Sequence, residues 1–175
     1  VKMVNALARL FRISISKGHE LIPIRKEIEH AESYLQIQEY RYKNQFTYHF
    51  DVDPGCLDYL CNKITLQPII ENAINHGLDL MVEDGHIEVQ VCPDGGDILF
   101  RVTDNGVGMS AEQVDAILQN NSGDRTGIGI KNVNDRLQIY FGKEYGLRIH
   151  SVPDEGTCVE IRMPKVTKEA DYEAK

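Results

Sequence analysis

The chain has 175 residues, 42% hydrophobic and 26% charged, enough for one well-cored domain plus a short extra element. Its net charge of −8 excludes sequence-independent nucleic-acid binding, which needs a basic surface. No apolar run approaches the roughly 20 residues of a membrane span, and Cys56, Cys61, Cys92 and Cys158 form no C-x-x-C pair, so they read as reduced, mostly buried thiols.

Residues 1–17 read as the tail of an amphipathic helix, with Val4, Leu7, Ala8, Phe11 and Ile15 on one side and Lys17-Gly18 as its stop. The start at Val1, with no signal-like segment, suggests a piece of something longer. Pro23 suits the start of a second helix, running to about Lys43, with Ile24, Ile28, Ala31, Leu35 and Gln38 along its stripe. Phe46–Val52 alternates like a half-buried strand and ends in the turn residues Asp53-Pro54-Gly55. Ile64 to Gly77 has helical period, with Leu66, Ile69, Ile70, Ala73 and Ile74 facing a core. Strands follow at roughly 86–92 and 97–103 around the hairpin signal Pro93-Asp94-Gly95-Gly96. A short helix over 110–119 leads into a Gly/Asn/Ser/Asp-rich stretch, 120–127, expected to be a mobile loop. A helix from about 129 to 141 and strands at about 146–152 and 157–163 complete the order, and the charged tail after Pro164 is expected to fray. This order predicts an α+β sandwich, a mixed sheet with helices on one face.

Three polar segments interrupt the apolar pattern. In Glu71-Asn72-Ala73-Ile74-Asn75-His76-Gly77, Asn72 and His76 share one helix face and Glu71 and Asn75 the neighbouring one. A carboxamide oxygen there suits Mg²⁺, and a plain solvated face is the alternative. In Asp104-Asn105-Gly106-Val107-Gly108-Met109, Asp104 ends an apolar strand, where a carboxylate needs a donor such as the amino group of adenine. Gly106 and Gly108 would let the backbone approach a ring, and an Asx-type turn with no ligand is the alternative. Gly127-Ile128-Gly129 opens a helix whose free N–H groups suit phosphate, with Lys131 able to add charge, or else closes an ordinary loop. Gly106-x-Gly108-x-x-Ala111 also fits a dinucleotide fingerprint formally, but the chain lacks the strand–helix alternation of a parallel sheet.

Taken together, the three segments resemble the N, G1 and G2 boxes of the superfamily that unites gyrase B, heat-shock ATPase chaperones, histidine kinases and MutL. Leu66–Gly77, Gly127–Leu137 and Ile28–Gln38 resemble the LytS/YehU-type sensor histidine kinases of bacteria. The resemblance implies a two-layer α/β sandwich of the Bergerat type over 44–165. Residues 1–43 would be a remnant of the dimerisation and phosphotransfer helices, and 166–175 a charged tail. It implies ATP and Mg²⁺ as ligands, with Asn72 on the metal and Asp104 anchoring adenine. Gly106 and Gly108 would shape the base pocket, Gly127 and Gly129 the phosphate lid, and Thr157 would support the adenine site. Asn75, His76, Ile130 and Lys131 belong to the implied nucleotide site, and Glu71 is a candidate base. It further implies a response regulator as partner, a homodimer in the full-length protein, and a cytoplasmic domain of a membrane-anchored bacterial parent. The alternatives are a catalytically silent nucleotide-binding module and a serine kinase of the anti-sigma-factor type.

The sequence departs from the family pattern in three places. Pro68 stands where hydrolytic members carry Glu, Asn75 stands where related kinases often carry Lys, and the phosphoacceptor box around a Pro-His-Phe core is absent from these residues. His30 lies in Glu-His-x-x-x-Tyr-Leu and is read as structural or interfacial.

Overall fold

The computed structural model describes residues 2–15, 20–43, 45–78, 84–119 and 126–168. Helix α1 (Lys2–Ile15) is followed by a short strand β1 (Leu21–Pro23) and helix α2 (Ile24–Arg41). Strand β2 (Phe46–Val52), a 3₁₀ turn (Pro54–Cys56) and strand β3 (Leu60–Asn62) lead into helix α3 (Leu66–Asn72), which continues as a π-helical turn over Ala73–Leu78. Strands β4 (Gly85–Asp94) and β5 (Asp97–Asp104), helices α4 (Ala111–Gln119) and α5 (Thr126–Phe141), and strands β6 (Gly146–Val152) and β7 (Gly156–Pro164) complete the chain.

Five strands form one sheet in the order β2-β4-β5-β7-β6, with β2 and β4 parallel and the other pairs antiparallel. The expected mixed sheet is therefore present, and the single parallel pair rules out the dinucleotide fold. Side-chain alternation turns Ile87, Val89 and Val91 of β4, Ile98, Phe100 and Val102 of β5, and Val159, Ile161 and Met163 of β7 to one face, each at most 3% exposed. Against them pack Leu66, Ile69 and Ile70 of α3, Ala73 and Ile74 of the π turn, and Ile130, Val133, Leu137 and Phe141 of α5. Ile24, Ala31, Tyr34 and Leu35 of α2 join the same core. Each large aliphatic group so buried contributes roughly 1.5–3 kcal/mol. The opposite face is polar, as in the Arg101–Glu160 pair at 2.8 Å.

Several expectations need correction. The α1 stripe does not face a core: Val4 is 67% and Phe11 58% exposed, Leu7 and Ala8 are exposed too, and α1 packs on α2 through Ala6. The sheet's inner face is already covered by α2, α3 and α5, so α1 has only the flank of α2 to lean on. The helix expected over 64–77 changes from α to π after Asn72, and the one expected from 129 begins at Thr126. A second sheet was not foreseen: β1 pairs antiparallel with β3 over three residues each, too short for alternation to show. The start of the tail is held rather than frayed, because Lys165 N donates to Gly96 O at 3.1 Å and Leu60 N to Val166 O at 2.8 Å. The Lys17-Gly18 stop, the loop over 120–125 and the tail from 169 lie outside the described residues.

The expected division between residues 43 and 44 is bridged by polar bonds. Glu27 of α2 is completely buried, and its carboxylate accepts from Ile64 N, Thr65 N and Leu66 N at the start of α3. Burial pushes its carboxyl above the ordinary range, while those three N–H groups and the Arg136 guanidinium pull it back down.

These placements predict opposite responses to deletion of two phenylalanine rings. Phe100→Ala should cost about 3–5 kcal/mol by loss of burial and creation of a cavity. Phe11→Ala should leave the dilute chain within about 0.5 kcal/mol of the parent. Urea titrations of the two variants measure both.

Candidate active site

Strand alternation continues past Val102 and delivers Asp104 to the inner face, in the series Ile98, Phe100, Val102, Asp104. Register then sets its neighbours, with Ile87 of β4 on one side and Thr157 of β7 on the other. Asp104 is 5% and Thr157 6% exposed. One carboxylate oxygen of Asp104 accepts from Gly106 N at 2.9 Å, which is the Asx-type turn left open by the sequence. That turn coexists with a pocket. Burial pushes the Asp104 carboxyl up to about 6, with the Gly106 and Thr157 N–H groups holding it from rising further.

The loop after Asp104 is fastened on two sides. Val107 N donates to Gly77 O at 3.1 Å, and Asp154 N to Val107 O at 2.7 Å. Met109 N donates to Ser151 Oγ at 2.8 Å, and Ser151 Oγ lies 3.0 Å from Gly156 O and 2.7 Å from Thr157 Oγ1. A Cβ at Gly106 would overlap the backbone of Gly77, and one at Gly108 (φ 66°) would overlap the Val152 carbonyl. The missing side chains therefore admit the protein's own backbone, where the sequence reading gave that space to a ligand ring.

Asn72, His76, Gly77, Asp104, Gly108, Met109 and Thr157 line a narrow pocket. Asn72 and His76 reach it together, as expected. Glu71 and Asn75 do not line it. Asn75 is exposed, and Glu71 accepts from Gln67 Nε2 at 3.2 Å and lies near Tyr34 of α2, whose hydroxyl is pushed up by burial and by the Glu71 charge. The structure thus turns the candidate base toward α2.

At the start of α5, Gly127 and Ile128 lie in the first turn, whose N–H groups have no partner within the helix. Gly129 faces Pro68 of α3, where a Cβ would stand 3.4 Å from the proline Cβ. Ile130 is fully buried in the core, leaving only its backbone to meet a ligand. The Lys131 ammonium pairs with Asp135 one turn further along, which draws its charge away from the helix start. Gly127, Gly129, Ile130 and Lys131 do not line the Asp104 pocket.

Gly77, Met109 and Ser151 were missed as pocket-building residues. Gly77 closes the first polar segment and could have been paired with Gly106 as two residues needing close approach. Ser151 carries no such signal, because its role comes from lying opposite Thr157 across β6 and β7.

No cluster of three or more His, Cys, Asp or Glu side chains that could hold a metal occurs among the described residues. A metal here must take most of its ligands from phosphate and water, and one carboxamide such as Asn72 fits that donor set.

Asp104 carries a pH signature that needs no ligand. Its folded-state value of about 6 lies above the ordinary 3.8, so the folded domain binds the proton more tightly than the unfolded chain. Ligand-free stability should therefore rise as pH falls from about 7 through 6 toward 4, by up to about 3 kcal/mol from this group. Thermal melts of wild type and Asp104→Asn measured from pH 7.5 to 5 test it, because the variant should lose this rise. Matching pH slopes in the two proteins would remove Asp104 as its source.

The sequence model for the histidine kinase-, DNA gyrase B- and HSP90-like ATPases matches residues 61–167, and that for histidine kinases matches residues 1–46. The sensor histidine kinase YesM of Bacillus subtilis is 35% identical over 93% of this chain, and the sensor protein LytS of Staphylococcus epidermidis 31% over 98%. The chain covers 27% of YesM and 29% of LytS. A histidine kinase domain of the blue-light activated histidine kinase from Erythrobacter litoralis EL346 shares the fold with a TM-score of 0.62. That likeness spans 94% of this chain and 73% of that one at 15% identity. The Acinetobacter baumannii histidine kinase AdeS gives the same score over 93% of this chain and 76% of its own, at 14% identity. The α+β sandwich, its polar pocket at the inner end of β5 and the match over residues 61–167 agree: the chain belongs to the histidine kinase-, DNA gyrase B- and HSP90-like ATPase family.

Proposed function

We propose that this chain is the ATP-binding catalytic domain of a sensor histidine kinase, presenting ATP to a histidine carried on a separate helical segment. The observation that carries the reading is the juxtaposition of Asp104 and Thr157 at one end of a pocket that also holds Asn72 and His76. When ionised, the Asp104 carboxylate can only accept hydrogen bonds, so it selects a ring that offers an amino group. Thr157 Oγ1, fixed by Ser151, supplies a hydroxyl beside it. Asn72 would offer its carboxamide oxygen to Mg²⁺, which when bound neutralises and orients the phosphates. The N–H groups of the first turn of α5 face the charge of a phosphate chain. The residues of this chain thus bind and position, and the phosphoryl group goes from ATP to the histidine and then to a response regulator.

The rest of the reading follows the same lines. Residues 1–43 supply part of the dimerisation and phosphotransfer region, and the exposed Val4, Leu7 and Phe11 of α1 support pairing with a second copy in the full-length protein. The parent would be anchored in a bacterial membrane with this domain on the cytoplasmic side. No helix among the described residues is long and apolar enough to cross a membrane. His30 is fully buried and His76 lines the pocket, so neither is available as an acceptor that swings in from outside.

Calorimetry should show ATP and ADP binding well ahead of GTP, with Asp104→Asn costing about 1.5–3 kcal/mol, or roughly 10- to 150-fold in affinity. Affinity should also fall as pH drops through about 6, where Asp104 gains its proton, and this dependence should vanish in the variant. Equal ATP and GTP affinity would sink the assignment of the base site.

Asn72→Ala should weaken the Mg²⁺-dependent part of ATP binding while the fold survives, since Ala suits a helix. Equal losses with and without Mg²⁺ would make Asn72 structural. With γ-labelled ATP and Mg²⁺, acid-labile label should enter a separate polypeptide carrying the Pro-His-Phe box and none of this chain's histidines (19, 30, 49, 76, 86 and 150). ATP binding without transfer would favour a silent nucleotide-binding module.

A further inference from the structure

Helix α3 does not cap itself. Its N-cap residue, Thr65, makes no side-chain cap bond, and its hydroxyl donates instead to Asn62 O at 2.8 Å. The missing cap comes from another helix. Glu27 of α2 accepts from Thr65 N at 2.7 Å and Leu66 N at 2.9 Å through one oxygen, and from Ile64 N at 3.0 Å through the other. A carboxylate on three backbone N–H groups at a helix N-terminus is a charge-assisted cap, favoured also by the helix dipole.

Seven residues further along α2, about 10 Å at the rise of an α-helix, Tyr34 packs in the core with its ring beside Glu71, itself seven residues beyond Ile64. The two helices thus meet at two joints, hydrogen bonds at the start of α3 and Tyr34 against Glu71, next to Asn72, at its end. Arg136 of α5 adds a third element to the first joint, with Nη2 donating to Ile64 O at 3.0 Å and Thr65 Oγ1 at 3.2 Å. Neither Glu27 nor Tyr34 lines the pocket.

We infer that Glu27 and Tyr34 are positioning residues for the nucleotide site: α2 braces α3 at two points and so fixes where Asn72 meets the metal–phosphate group. The inference rests on the proposed role of Asn72. It makes α2 part of the catalytic body, so that a displacement of α2 along or about its axis reaches Asn72 through the backbone of α3. A change imposed on the preceding helix then has a physical route to nucleotide affinity that does not involve the pocket residues.

The test uses Tyr34→Phe, which removes only the hydroxyl, and Glu27→Gln, which keeps one acceptor oxygen in the same volume. Each is made alone and combined with Asn72→Ala, and ATP is titrated with and without Mg²⁺. The expected result is a folded protein whose Mg²⁺-dependent affinity falls about fivefold in Tyr34→Phe and more in Glu27→Gln. Metal-free affinity should stay unchanged, and Asn72→Ala should show no further loss when combined with either. Loss of equal size with and without Mg²⁺, equal loss in the Asn72→Ala background, or no loss in Tyr34→Phe would overturn the positioning role. Should Glu27→Gln fail to fold, Tyr34→Phe decides the matter. Should the wild-type chain bind no nucleotide, the proposed function falls, and amide exchange then tests the bracing separately. Faster exchange over residues 72–78 in Tyr34→Phe would support it, and unchanged exchange there would overturn it.

Discussion

A carboxylate on the core face of a central strand is the constraint around which the pocket is organised. Strand alternation forces Asp104 to follow Phe100 and Val102 inward, and a charge there requires donors. Two backbone N–H groups, of Gly106 and Thr157, hold it partly, and no cation is among the groups that shift it. A carboxylate has room for more donors than these two. The remaining capacity opens toward a cavity shared with Asn72, His76 and Thr157. For the Gly106 N–H to bond back to Asp104, the loop must turn at once, and that brings it against the π turn. Glycine at 106 lets the loop meet the backbone of Gly77, and glycine at 77 leaves room for the Asp104 carboxylate. The loop's fixed shape, its bond to Ser151 and the hydroxyl pair of Ser151 and Thr157 follow from that first turn.

The helical layer answers a different requirement, the placement of Asn72 over that pocket. Leu66, Ile69 and Ile70 bury α3 against the core without directional bonds. Hydrogen bonds are more directional. Those to Glu27 tie α3 to α2, and those at Ile64 and Thr65 come from Arg136 of α5. The element that carries Asn72 is therefore held from outside the pocket. By contrast α1 packs along α2, with Ala6 buried and Leu10 against the core, and leaves its apolar stripe outward.

Much of this was legible in the sequence because it rests on short-range rules. Period-two alternation located β2 to the residue and the other long strands nearly so, and the hairpin signal at Pro93–Gly96 gave the β4–β5 pairing. The Asp104 and Asn72 segments stood out because polar side chains interrupt apolar patterns there. What was not legible depends on partners distant in sequence. Glu27 carries no mark in the sequence beyond its place in the first turn of α2, and only the fold brings it to Thr65, thirty-eight positions away. Lys131 looked free to meet phosphate until Asp135 was seen to hold it, although an i,i+4 pair was in principle readable. The glycines at 106 and 108 were correctly marked as close approaches, with the wrong neighbour. The α1 stripe was legible as one side of a helix, but amphipathic period does not say whether this chain supplies its cover.

Several departures from local rules lie at the pocket, and others lie away from it, as in the positive φ of Ile64 (56°) just before α3. A buried carboxylate with a raised pKa, a π turn in the middle of a polar segment, and glycines with φ of 66° at 108 and 119° at 156 all border it or support it. Elsewhere the strands alternate, the helices carry continuous apolar faces, and the buried polar groups such as Glu27 find several donors. Such strain persists only where surrounding structure over-determines it. Here the five-stranded sheet fixes Asp104 and Thr157 from below, while α2 and α5 fix α3 from above. A ligand that donates to Asp104 would relieve the uncompensated charge, so binding and folding are coupled through the same carboxylate. Through Asp104 the empty domain is less stable near pH 7 than near pH 5, and it gains most from a donor ligand where the carboxylate is ionised.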